Sequence, residues 1–226
     1  MGKQLYPNYY KRNLLHWQPD NSVFSMTVRL YGSLPQAKVN QLKIDRTLKK
    51  AELLKKGLRS GEMKRALRKM HELYFGVYDD LLDNETSGPT WLSDPEITEI
   101  VISALRHFNN DRYKLICYNI MPNHIHFIFY KLECQLTTIM ASFKKYAARQ
   151  ANKYLGRIDV SFWAGESYDH RITDRAELSR KIWCFLNNPV KAKMVTHWED
   201  YPFTYLNPEF RKFLPHASNS DLQSEQ

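Results

Sequence analysis

Two apolar runs, Tyr113 to Ile120 and Ile125 to Tyr130, lie on either side of Met121-Pro122-Asn123, and they limit the fold more than any other feature of the chain. Both are rich in β-branched and aromatic residues, and so short a connection suits an antiparallel hairpin. The remaining pattern is built around this pair. Ser22 to Tyr31 reads as an earlier strand ending at Gly32, and Ser93-Asp94-Pro95-Glu96 supplies an N-cap and first turn for a helix running to about Phe108. Leu136 to Tyr154 reads as an amphipathic helix, with Ile139, Phe143, Tyr146 and Ala147 on one side and Lys144, Lys145, Arg149 and Lys153 on the other. An extended segment covers Val160 to Ile172, and Thr173 or Asp174 then caps a helix carrying Leu178, Ile182, Phe185 and Leu186. The resulting order β-α-β-β-α-β-α points to an α+β, ferredoxin-like antiparallel sheet with helices on one face.

Between the first strand and this core, residues from about 36 to 82 change to Leu, Ala, Lys, Arg and Glu at helical spacing, with a break at Gly57 or Ser60-Gly61. This is a helical pair inserted into the sheet's order. One domain is therefore expected over 1–206, with a polar tail over 207–226. The 33 Lys and Arg exceed the 24 Asp and Glu, giving a formal charge of +9, which favours a polyanionic partner. Cys117, Cys134 and Cys184 form no CxxC pair, so neither a disulfide framework nor a zinc knuckle is expected, and a cytoplasmic protein fits best. No run is apolar enough to suggest a membrane span, and none is expected.

His124-Ile125-His126 carries the chemistry. On a strand, residues i and i+2 face the same way, so two imidazoles can be offered to one cation while Ile125 enters the core. Two histidines so placed are also an ordinary hydrogen-bonded pair, and the motif alone leaves both readings open.

Four blocks agree in order and spacing: Met121-Pro-Asn-His-Ile-His-Phe-Ile-Phe129, Phe162-Trp-Ala-Gly-Glu-Ser-Tyr-Asp-His-Arg-Ile172, Asn187-Asn-Pro-Val-Lys-Ala192 and Trp198-Glu-Asp-Tyr-Pro-Phe-Thr-Tyr205. Together they resemble the REP-associated tyrosine transposases and the related single-strand insertion-sequence transposases of the HUH type. The resemblance covers the strand near residue 22 and then roughly 110 to 206. It does not account for the inserted helices or the tail.

The resemblance implies a divalent metal, Mg or Mn, held by His124, His126 and the amide of Asn188. It also implies a single-stranded DNA substrate folded into a hairpin, and attack on the scissile phosphate by a tyrosine one helical turn before that amide. Here that position is Cys184. A thiolate is nucleophilic, but a phosphorothioester is an unusual store for strand rejoining, so Cys184 implies lost or altered cleavage, or is simply a buried helix residue. Tyr168 is the substitute nucleophile to consider, ahead of Tyr146 and Tyr154, which also suit packing or base stacking. His170 is an additional candidate ligand.

Contacts to the phosphate backbone would fall to Lys144, Lys145, Arg149, Lys153, Arg171 and Lys191, with Trp163 and Tyr168 offering faces for unpaired bases and the basic arm from Lys3 to Arg12 reaching further along the strand. Relatives of this kind include monomers and dimers, so a homodimer stays open. Three readings compete: an HUH single-strand endonuclease or transposase, a DNA-binding module that no longer cleaves, and a metal-dependent hydrolase for which DNA is irrelevant.

Overall fold

The protein is described here from a computed structural model covering residues 9–11, 15–17, 22–85, 87–132 and 134–214. Most of the basic arm, including Lys3 and Arg12, and the tail from 215 lie outside the described residues. A short ribbon pairs β1 (Tyr9–Lys11) with β2 (Leu15–Trp17). The main sheet contains β3 (Val23–Arg29), β4 (Tyr113–Ile120), β5 (His124–Lys131), β6 (Tyr168–Ile172) and β7 (Thr204–Leu206) in the order β6-β3-β5-β4-β7, with every pairing antiparallel. The first four strands in this order have the ferredoxin-like arrangement, and β7 extends the sheet beyond β4.

The helices are α1 (Gln36–Lys55), α2 (Ser60–Asn84), α3 (Pro95–Arg106), α4 (Leu136–Tyr154), α5 (Arg175–Leu186) and the single turn α6 (Asn188–Lys191). Local chemistry sets several of their ends. The Asp94 side chain accepts from the Glu96 amide ahead of Pro95, and the Asp174 side chain accepts from the Glu177 amide. Gly57, at φ 61°, takes the left-handed conformation that separates α1 from α2 at little steric cost. Among the described residues no helix is long and apolar enough to cross a membrane.

The α+β class, the antiparallel sheet and the helical hairpin between β3 and α3 agree with the sequence reading. Helices stand on both faces of the sheet, however, where one face was expected. Ile125, Phe127 and Phe129 join α3 and α4 residues such as Val101, Phe143 and Ala147 in the larger core. Ile116, Cys117 and Ile128 face the other way and pack with Ile182 and Phe185 of α5 and Phe75 of α2. A strand apolar on both faces needs cover on both, and β5 is buried along almost its whole length.

Candidate metal centre

The strand alternation that sends Ile125 and Phe127 into the α3–α4 core sends His124 and His126 to the α2–α5 face. Both histidines are fully buried, and their Nε2 atoms lie 2.9 Å apart. Their far nitrogens fix this orientation. His126 Nδ1 is 2.9 Å from Thr27 Oγ1 on the neighbouring strand, and His124 Nδ1 is 2.6 Å from Asn123 Oδ1. The Asn123 amide is itself anchored, since its nitrogen donates to the Leu82 carbonyl at 2.8 Å. Its oxygen therefore faces His124, holds the proton on Nδ1 and leaves the Nε2 lone pair pointing inward, the usual preparation of a histidine ligand. Burial, followed by the neighbouring His126, pushes the His124 pKa down to about 3, so this imidazole is neutral at ordinary pH.

Two further elements close on the same point. At the start of α6, Asn188 is fully buried and its Nδ2 lies 2.8 Å from His126 Nε2. From α2 comes Asp79, 2% exposed, with Oδ1 3.0 Å from the same nitrogen. Asp83, one turn further along α2, has Oδ1 3.8 Å from His124 Nε2. Asp79, His124 and His126 together offer three potential ligand atoms within 4.8 Å of one another.

As it stands, this cluster is frustrated. His126 Nε2 has one in-plane position, carrying either a proton or a lone pair, yet three polar atoms approach it within 3.0 Å. Oδ1 of each of Asp79, Asp83 and Asn188 is buried without a hydrogen-bond partner. Burial pushes the Asp79 carboxyl up, but the facing His126, with His124 and Lys191, outweighs it and brings the value down to about 2. Burial and the Asp79 charge push Asp83 up to about 6. Two inward-facing imidazoles, two carboxylates with unserved oxygens and the Asn188 amide, which now turns its nitrogen to His126 and would turn its unserved oxygen to a metal, form a donor set that fits a divalent cation.

The remaining candidates from the sequence are less closely gathered. Cys184 is half-buried on α5, with Lys191 Nζ 3.9 Å from its sulfur. Burial, with a contribution from Asp79 and against the pull of Lys191, raises its thiol above the ordinary value, so the thiolate is scarce at neutral pH. Tyr168 sits in the same cross-strand row as Thr27 and His126, but its hydroxyl is 2.9 Å from His71 Nδ1 and donates to the His71 carbonyl at 3.0 Å. Packed in this way against α2, its phenol is pushed well above its usual range by burial. His170 meets Glu177 at 2.7 Å and lies against His71, with ring centroids 4.7 Å apart.

Lys144, Lys145, Arg149 and Lys153 lie on α4, across the sheet from the histidines, and Lys144 donates to the Ala164 carbonyl. Arg171, paired with Phe24, is on that same far face. Of the basic residues expected to contact the phosphate backbone, Lys191 stands beside the cluster. Trp163 is buried against Phe143 and Phe162 and offers no open face for stacking.

Residues 92–178 match the protein family described as "Transposase IS200 like". This segment resembles the IS200-like transposases. The IS200-like stretch is less than half of the chain; it contains both histidines, begins after α2 and stops before Cys184 and Asn188. Among solved structures, the chain is similar to one described as "Structure of the REP associates tyrosine transposase bound to a REP hairpin", at 15% identity and a TM-score of 0.44, covering 86% of this chain and 80% of that one. No curated protein sequence matches the chain.

Sequence reasoning did not find Asp79 or Asp83. A signal was present: the buried stripe of α2 runs Met70, Phe75, Asp79, Leu82, so Asp79 occupies a position whose spacing asks for an apolar residue.

Proposed function

We propose that this protein binds single-stranded DNA folded as a hairpin and acts on it in transposition, using a divalent metal, Mg or Mn, held by His124, His126 and Asn188. The observation that carries this reading is the convergence of two inward-facing imidazole nitrogens and the Asn188 amide on one buried point, with both histidines inside the IS200-like segment. A bound cation there would polarise the scissile phosphodiester and offset charge on its oxygens. Asn123 holds His124 in the ligating tautomer, and Thr27 orients the His126 ring. Lys191, beside Cys184, supplies positive charge for a phosphate at this site.

Cys184 favours a second reading. A thiol with a raised pKa at the position implied for the nucleophilic tyrosine suits a protein that recognises its hairpin without cutting it. Incubation with Mn²⁺ and labelled hairpin DNA, followed by denaturing electrophoresis, separates the two. A covalent adduct with the wild-type protein establishes cleavage, and mapping the linked residue identifies the nucleophile. An adduct with Cys184→Tyr alone establishes a binding module with a disabled site. If neither protein forms an adduct and neither binds the hairpin in a salt-dependent way, the DNA reading is wrong.

A further inference from the structure

The IS200-like match begins only after the α1–α2 hairpin, and the resemblance of motifs leaves that hairpin without a role. Its second helix nevertheless lies directly over the histidines. Phe75 packs on Phe185 and Tyr168, with centroids 6.1 and 5.0 Å away, and meets the edge of His126 at 6.3 Å. Lys181 Nζ stands 3.5 Å above the Phe75 ring, and the Leu82 carbonyl receives the Asn123 amide that orients His124. Against this apolar contact α2 buries a carboxylate, Asp79, with one oxygen lacking a hydrogen-bond partner and 3.0 Å from His126 Nε2. A buried carboxylate is costly to hold among apolar side chains, whereas a cation at the centre of the cluster turns the same oxygen into a ligand.

We propose that the inserted hairpin is part of the metal centre, with Asp79 of α2 ligating the same divalent cation as His124 and His126, so that ion binding clasps α2 over the site. This rests on the proposed metal-binding reading and adds to it a carboxylate from outside the IS200-like segment. Asp83, sharing the inner side of α2 one turn on, adds negative charge at the edge of the cluster, whereas Asp80 between them is exposed and serves as a control.

The test is calorimetric titration of the full chain with Mn²⁺ alone, on wild type, Asp79→Ala, Asp79→Asn, Asp80→Ala and His126→Ala, with hydrogen exchange of the α2 amides read in parallel. The Asn variant preserves the shape of the side chain should the Ala variant fail to fold. The expected result is affinity weakened more than about 100-fold by either Asp79 change and by His126→Ala, and unchanged in Asp80→Ala, since losing a ligand should exceed the loss from an outer-shell partner. Mn²⁺ should slow α2 exchange in wild type and not in the Asp79 variants. Asp79 variants within about threefold of wild type, with His126→Ala silent, overturn the role of α2 and leave the histidine site standing. A wild-type protein that binds no Mn²⁺ overturns both.

Discussion

The two faces of β5 were built under the same burial and arrive at opposite solutions. On the α3–α4 side Ile125, Phe127 and Phe129 lie among aliphatic and aromatic side chains held by close packing. On the α2–α5 side His124 and His126 are just as deeply buried, but they are surrounded by Thr27, Asp79 and Asn188, with three oxygens of the cluster unserved. The first face stabilises the fold. The second gives up stability to hold a set of lone pairs in place, which a protein retains when something is to be bound there.

The largest effect should come from the apolar face. Phe127, 2% exposed and packed between Phe129 and Phe143, should lose about 3–5 kcal/mol of unfolding free energy on Phe127→Ala, read by denaturant titration. Protein that remains folded should keep its Mn²⁺ affinity. If that affinity collapses, the two faces are not independent. Next is Thr27→Val, which keeps the side-chain shape but removes the partner of His126 Nδ1. It should weaken Mn²⁺ binding about 10- to 100-fold with little change in metal-free stability. Equal affinity would mean that the His126 ring is oriented some other way.

The smallest effect concerns Glu177, at the edge of the second face. Burial pushes its carboxyl up, but hydrogen bonds from His170 and Thr173 prevail and hold it at about 2, against an ordinary 4.5. A carboxyl depressed on folding contributes stability above its unfolded value, and that contribution disappears as pH falls toward the folded one. The stability gap between wild type and Glu177→Gln should therefore be full near neutrality and close between about pH 4.5 and 2, followed by thermal unfolding across that range. A pH-independent gap would mean that the Glu177 charge contributes nothing.

Much of this was legible along the chain. β4 and α4 fall on the residues their patterns indicate, Tyr113–Ile120 and Leu136–Tyr154, and alternation alone placed both histidines of β5 on one face. These features repeat every two or every 3.6 residues, so a short stretch of sequence is enough to state them. The three-residue β7 has too little length to show a period and exists because β4 offers it an edge.

The sequence by itself determined the hairpin of β4 and β5, the placing of His124 and His126 on one face and the presence of a helical hairpin before the core. Tertiary structure decided what faces those histidines. Asp79 is 45 residues from His124 in the chain and reaches it only because α2 folds back across the sheet, just as Asn188 arrives from beyond α5. Strand and helix periodicities are local and say nothing about which distant side chains share a buried point, and that sharing sets the charge, the lone pairs and the chemistry of this site.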